Sequence, residues 1–259
     1  HVVRGNDHLT NTFRQIQIYK ALGWEIPTFA HLPLLHGEDG QKLSKRHGAT
    51  NVFELLEGGY LPSAIINYLL LLGAGFDEPE IFDLEYAIDN FDISRFSKSP
   101  SRFDYKKLHF VNSEHINLLS DNEILDYIKS HTDFSESVLA KIKAGIHLIK
   151  ERAEVMGEVL DVAALFAHIH EPLDEKSENI LADTDDSFKR EVIALVSASD
   201  FQDKDSLLGE IKEFAKSRSV KPPKVMQLLR ALVLGTFASP GIIDMMIILG
   251  KDEVLKRIG

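Results

Sequence analysis

The chain has 259 residues, 44% of them hydrophobic and 27% charged, and its 40 acidic and 29 basic side chains give a formal net charge of −11. That length accommodates two domains with their own cores, and the absence of cysteine excludes disulfides and thiolate-held metal sites. The most apolar run, Ala64 to Phe76, is interrupted by Asn67 and Tyr68 and falls short of the roughly 20 residues a membrane-spanning helix needs; no signal-peptide pattern is visible, so a cytoplasmic protein without a membrane partner is expected.

In chain order, His1–Arg4 is short, apolar and followed by Gly5, the pattern of a strand end. Thr10 or Asn11 is placed to cap a helix carrying Phe13, Ile16 and Leu22, with Gly23 stopping it. A second strand is expected over Phe29–Leu35, with a turn at Glu38-Asp39-Gly40. Beyond Asn51 helical starts and stops alternate. Asn51 caps a short helix ending at Gly58, and Pro62 opens one ending at Gly73, where the missing N–H of proline costs nothing. Asp83 and Asp104 precede two more. Helices then follow over Ser120–His131, Ser135–Ala144, a long segment Ile146–Ile169, Ser187–Ser197, Asp205–Ser217, Pro223–Leu234, Ser239–Leu249 and Asp252–Ile258, nearly all amphipathic. Linkers are expected at Ile93–Pro100 and Asp183–Asp186.

The densest chemistry lies in Lys42-Leu43-Ser44-Lys45-Arg46. Cations and a hydroxyl packed into one loop between Gly40 and Gly48 suit a polyphosphate, although a solvated basic turn has the same composition. Its neighbourhood narrows the choice. Arg4-Gly5-Asn6-Asp7-His8 lies upstream with Phe29-Ala30-His31-Leu32-Pro33-Leu34-Leu35. Gly59-Tyr60-Leu61-Pro62, Ile66-Asn67-Tyr68-Leu69 and Phe96-Ser97-Lys98-Ser99-Pro100 lie downstream. Taken in order, these segments resemble the second half of a bacterial glutamyl-tRNA synthetase, a class I aminoacyl-tRNA synthetase whose second signature is usually written Lys-Met-Ser-Lys-Ser. The likeness runs from the first residue to Lys251-Asp252-Glu253. The family's first signature, His-x-Gly-His, does not occur in the chain, so a C-terminal portion of a longer enzyme is expected.

The resemblance implies a mainly α chain: a truncated remnant of the class I α/β nucleotide-binding fold over 1–50, a helical stem-contact region over 51–115 and an all-helical anticodon-binding domain over 116–259. It also implies the site residues. Lys45 matches the signature lysine that holds the ATP phosphates, framed by Lys42, Ser44 and Arg46, with Leu43 in the methionine position beside the adenine. Asp7 takes the acidic position next to ATP, and Asn6 departs from the acid more usual there. Arg4 matches an arginine that binds glutamate; on pattern alone it could equally be a structural ion pair with Asp7. Two segments, Lys224–Arg230 and Ser239-Pro240-Gly241, resemble anticodon readers and supply Arg230 and Ser239. Leu228 stands where proline is usual. Arg152 matches a further reader.

Four histidines, at 8, 31, 36 and 47, do not have the spacing of a closed tetrahedral metal site, and no metal ligation is expected. Magnesium would come with ATP, held by phosphates and water. Net acidity is no obstacle to RNA binding, because 14 acids against 5 bases between Asp161 and Glu213 carry most of it, while Lys216–Arg230 contains five bases and no acid. The expected parent ligates glutamate to tRNA(Glu) through a glutamyl-adenylate, acts as a monomer and uses ATP and glutamate. This chain by itself is expected to bind tRNA without activating the amino acid. A stand-alone tRNA-binding protein and a glutaminyl relative are the alternatives; the latter would end in β-barrels, whereas helical caps persist here to Arg257.

Overall fold

The computed structural model describes residues 1–44, 46, 48, 51–76 and 78–259. They fall into two compact units, His1–Leu118 and Leu119–Gly259. Among the described residues the fold is mainly helical, with 15 α-helices and a two-stranded sheet.

In the first unit β1 (Val2–Gly5) pairs in parallel with β2 (Phe29–Leu32), Val2 facing Phe29 and Gly5 facing Leu32. Parallel strands need a crossover, supplied here by α1 (Leu9–Ala21). Expectation and structure differ at both ends of this βαβ piece. Thr10 and Asn11 lie inside α1, whose N-cap is His8 without a side-chain cap, because the 3₁₀ turn Asn6–His8 feeds straight into the helix. β2 stops at Leu32 and does not reach Leu35, since Pro33 has no N–H to give a ladder. Phe13 and Ile18 on α1, and Leu22 and Trp24 just after it, are more than half exposed.

The helices that follow have visible local causes. Asn51 accepts from the Glu54 N–H and caps α2 (Val52–Glu57); Pro62 opens α3 (Pro62–Gly73); Asp83 accepts from the Tyr86 N–H and caps α4 (Leu84–Asn90). Asp104 accepts from the N–H groups of Lys106 and Lys107 at the start of α5 (Tyr105–Leu118). Ala64, Ile65 and Tyr68 of α3 pack with Leu108 and Val111 of α5 and with Phe103, each apolar side chain of this size contributing about 1.5–3 kcal/mol on burial. A buried polar group crosses this core. Asn67 Oδ1 accepts from the Phe82 N–H at 3.1 Å and from His115 Nε2 at 2.9 Å, while its amide donates to the Glu80 carbonyl. Burial holds the His115 imidazole below its ordinary pKa, and Nε2, facing an oxygen that can only accept, is the donor.

The second unit contains α6 (Asp121–His131), α7 (Glu136–Ala144), α8 (Ile146–Arg152), α9 (Met156–Ala164), α10 (Glu175–Asp183), α11 (Asp186–Ala198), α12 (Lys204–Ser217), α13 (Pro222–Val233), α14 (Ile242–Leu249) and α15 (Lys251–Ile258). Ser120 and Glu123 close a reciprocal capping box at α6. Three expectations are corrected. Ile146–Ile169 is not one helix: Ala153 and Val155 are extended, and the Glu158 carboxylate, accepting from the Glu154 N–H, serves the start of α9. Helix α10, capped by Asp174, lies in an acidic stretch from which no helix was expected. Finally, α14 begins at Ile242 and not at Ser239, because Pro240 and the turn before it lie outside the helix. Arg257 ties this unit together: its side chain is only 4% exposed, and it donates to Glu253 and to the carbonyls of Leu165 and Val233.

Candidate functional site

In the first unit β1 and the turn after it deliver two of the expected residues. Arg4 is half-buried; its Nη2 donates to Thr12 Oγ1 at 2.5 Å and Gln15 Oε1 at 2.7 Å, and the guanidinium lies 5.3 Å from the Phe29 ring centre. Both acceptors are neutral, so neither matches its charge, and its buried Nε makes no hydrogen bond. The ion pair with Asp7 that the pattern allowed is not formed. Asp7 instead accepts from Lys42 at 3.1 Å, and that hydrogen bond, ahead of the other influences, holds its carboxyl below the usual range. Gly5 permits this geometry: a Cβ there would stand 2.6 Å from Asp7 Oδ1.

The basic segment is a short hairpin. His36 and Lys42 bridge antiparallel, Gly37 donates to Gln41, and Leu43 donates to Leu35. The backbone of His36 is pinned by Ser101 and Phe103. Leu43 is half-buried against the α3–α5 core. Arg46 pairs with Asp39 at 3.1 Å, and the Lys42 and Arg46 side chains are 60% and 64% exposed. Ser44 is half-buried. Lys45 and His47 lie outside the described residues. Next to the hairpin a cleft of about 530 Å³ is lined by Asn6, His31, His36, Ser94 and Lys98 among others. Surface ion pairs of this kind are worth little and exchange readily, so Lys42 and Arg46 are cations that an entering phosphate can recruit. Among the described residues no group of three or more His, Asp or Glu side chains is gathered to hold a metal.

In the second unit two of the three expected readers, Arg230 and Ser239, are in contact, and the third, Arg152, lines a cleft with Ala238 beside them. Arg230, near the end of α13, donates from Nη1 to the carbonyl of Ser239 at 3.0 Å and to its hydroxyl at 2.7 Å. Ser239 is buried, and its hydroxyl donates onward to the Thr236 carbonyl. Burial first, and the charge of Arg152 second, pull the Arg230 guanidinium below its ordinary pKa. Arg152 is exposed at the last turn of α8 and shares a cleft of about 250 Å³ with Glu158, Asp161 and Ala238. The helix break at Ala153 is what leaves Arg152 at a terminus there. Leu228, 1% exposed, is a core residue of an unbroken α13.

Residues that sequence reasoning missed complete the turn. The Phe237 N–H donates to Asp174 at 2.5 Å, and Asp174 also caps α10 by accepting from Ser177. Burial raises the Asp174 pKa, but hydrogen bonds from Ser177, Phe237 and Thr236 outweigh it and bring it down to about 2. Lys176 lies 4.1 Å, and Arg230 5.7 Å, from the centre of the Phe237 ring. The one available signal was Asp174-Glu175-Lys176-Ser177, an N-cap pattern.

Comparisons with known proteins divide the chain at the same place. Residues 1–110 match a family model described as tRNA synthetases class I (E and Q), catalytic domain, and residues 122–259 match one described as anticodon binding domain. A glutamate–tRNA ligase of Wolbachia pipientis from Culex pipiens is 40% identical over 99% of this chain and 57% of its own length. One from Gluconacetobacter diazotrophicus is 41% identical over 100% of this chain and 57% of its own. A crystal structure of a glutamate tRNA ligase from Elizabethkingia meningosepticum, in complex with its amino acid, superposes with a TM-score of 0.74 at 29% identity, over 100% of this chain and 56% of that one. The chain therefore spans a little more than half the length of the relatives it matches.

Proposed function

The chain belongs to the glutamyl-tRNA synthetase family of class I, anticodon-binding domain included, and from that membership we propose that it is the tRNA-binding portion of an enzyme that ligates glutamate to tRNA(Glu). The observation that carries the proposal is the Arg230–Ser239 contact, with Arg152 lining the cleft beside Ala238, within the unit that matches the anticodon-binding model.

The proposed regions are 1–50 for the catalytic remnant, 51–115 for the stem-contact helices and 116–259 for anticodon binding. Exposed Phe13, Ile18 and Trp24 are the kind of apolar surface that further catalytic structure covers. In the whole enzyme the glutamate carboxylate attacks the α-phosphorus of ATP, the bond to the β-phosphate breaks, and pyrophosphate leaves as the glutamyl-adenylate forms. The donor set fits the ATP phosphates: Lys42 closes the hairpin, and Ser44, Lys45 and Arg46 follow it directly in the same segment. Their part is to bind the phosphates and stabilise the charge that grows there, with Asp7 releasing Lys42 as the anion enters. Leu43 backs the adenine, and its packing against the core fixes the hairpin. Magnesium is left to phosphates and water. Arg4, whose charge no acid among the described residues neutralises, holds a glutamate carboxylate. Ser239 spends its hydroxyl on orienting Arg230, and Arg230 and Arg152 present guanidinium edges to unpaired bases. A monomer in the cytoplasm completes the reading; among the described residues no helix is long and apolar enough to cross a membrane.

A direct test compares ATP–pyrophosphate exchange and tRNA binding by the purified chain. Binding without exchange supports the reading. Robust exchange, or no affinity for tRNA, refutes it.

A further inference from the structure

Phe237 is built into its turn in an unusual way. Its neighbours Thr236 and Ser239 are buried and Ala238 is exposed, while the ring itself is half-buried and outside the core. Asp174 clamps its backbone N–H, Thr236 Oγ1 accepts from the Ala238 N–H, and Arg230 holds Ser239. The backbone that carries the ring is thus fixed on three sides. Two cations, Lys176 at 4.1 Å and Arg230 at 5.7 Å, lie against the ring. Arg230 is half-buried and tied to Ser239. Lys176 is exposed, and beyond it a cleft of about 720 Å³ between α10 and α13 is lined by Lys176, Lys221 and Lys224 together with the carboxylates of Glu175 and Asp183.

An exposed lysine on a ring is a weak contact that a better partner displaces. A rigidly mounted aromatic face beside an arginine, with the exposed Lys176 ammonium on the ring, has the chemistry that takes an unpaired base and its phosphate. We propose that Phe237 is a stacking platform for one unpaired base of the anticodon loop, and that Lys176 leaves the ring for the backbone phosphate of that nucleotide when the base arrives. This rests on the reading that the second unit binds the anticodon loop. It adds a contact indifferent to base identity next to the base-reading arginines, because every base offers a stacking face.

The test uses the full chain and a fluorescent synthetic anticodon stem-loop of glutamate tRNA, with anisotropy followed across a salt series. Phe237→Leu keeps apolar volume and removes the ring; it should weaken binding by about tenfold at unchanged salt slope, while Phe237→Trp stays within about twofold of wild type. Lys176→Gln should shallow the salt slope by about one unit. Stem-loops with a single abasic nucleotide stepped through the loop should contain one position at which Phe237→Leu no longer matters. A Phe237→Leu variant as tight as wild type, while Arg230→Ala still weakens binding, overturns the platform and leaves the proposed function standing. So does a loss from Phe237→Leu that persists at every abasic position, since the ring would then serve only the turn. If wild type shows no affinity for the stem-loop, both readings fall together.

Discussion

Arg230 donates from a single guanidinium nitrogen to both oxygens of Ser239, at 3.0 Å to the carbonyl and 2.7 Å to the hydroxyl. One serine therefore sets the direction of the arginine proposed as a base reader, and the hydroxyl is itself fixed by the Thr236 carbonyl. Ser239→Ala leaves the carbonyl contact and removes the second. It is expected to lower affinity for the cognate anticodon loop less than Arg230→Ala does. Arg230→Ala itself should cost roughly 1–3 kcal/mol on the cognate loop and much less on a loop already altered at the base it reads. Equal losses on every anticodon variant would make Arg230 a phosphate anchor.

Lys45→Ala, in an enzyme that includes this chain together with the first signature, should lower kcat by ~10²-fold or more at saturating substrates, as loss of one preorganised donor does. Pyrophosphate exchange measures it. A variant within about threefold of wild type would remove Lys45 from the phosphate site.

The turn should be intolerant of change at Gly235. Its φ is +72°, and a Cβ there would lie 2.5 Å from the His170 carbonyl oxygen, a backbone atom that cannot step aside. Gly235→Ala is expected to destabilise the second unit by about 2 kcal/mol or more. Urea unfolding followed by circular dichroism checks it, and an unchanged midpoint would contradict the geometry.

Stability should also respond to pH through His115. Its folded pKa lies below the ordinary 6.5, so between that value and the lower folded one the unfolded chain binds the proton and the folded chain does not. Stability is fully present above about pH 6.5 and falls as pH drops through it. His115→Gln should flatten that part of the profile relative to wild type. Matching slopes for the two proteins would show that His115 titrates normally.

Local signals made much of the fold legible. Asn51, Pro62, Asp83, Asp104 and Ser120 mark helix starts in the sequence because each satisfies, or does without, a backbone donor within a few residues. Where a boundary depends on tertiary contact, the sequence misleads. α1 starts without a side-chain cap because a 3₁₀ turn precedes it, and the break between α8 and α9 rests on extended Ala153 and Val155, neither a strong breaker. The site divides in the same way. Arg152, Arg230 and Ser239 could be named from segment order, but their placement depends on that unforeseen break and on the turn at 235–240. Phe237 and Lys176 enter the proposed site only through a ring contact between residues 61 positions apart in sequence, which no periodicity shows. The Arg4 alternative was resolved by geometry alone: Lys42, distant in sequence, takes Asp7.

The central claim is that this chain reads an anticodon loop. The most direct measurement is its affinity for the glutamate anticodon stem-loop against loops with each anticodon base replaced, at one fixed salt concentration and with the protein otherwise unchanged. A loss of about tenfold or more for at least one replacement, abolished by Arg230→Ala, is the predicted result. Equal affinity for every loop, with a salt dependence unchanged in Arg230→Ala, would contradict it.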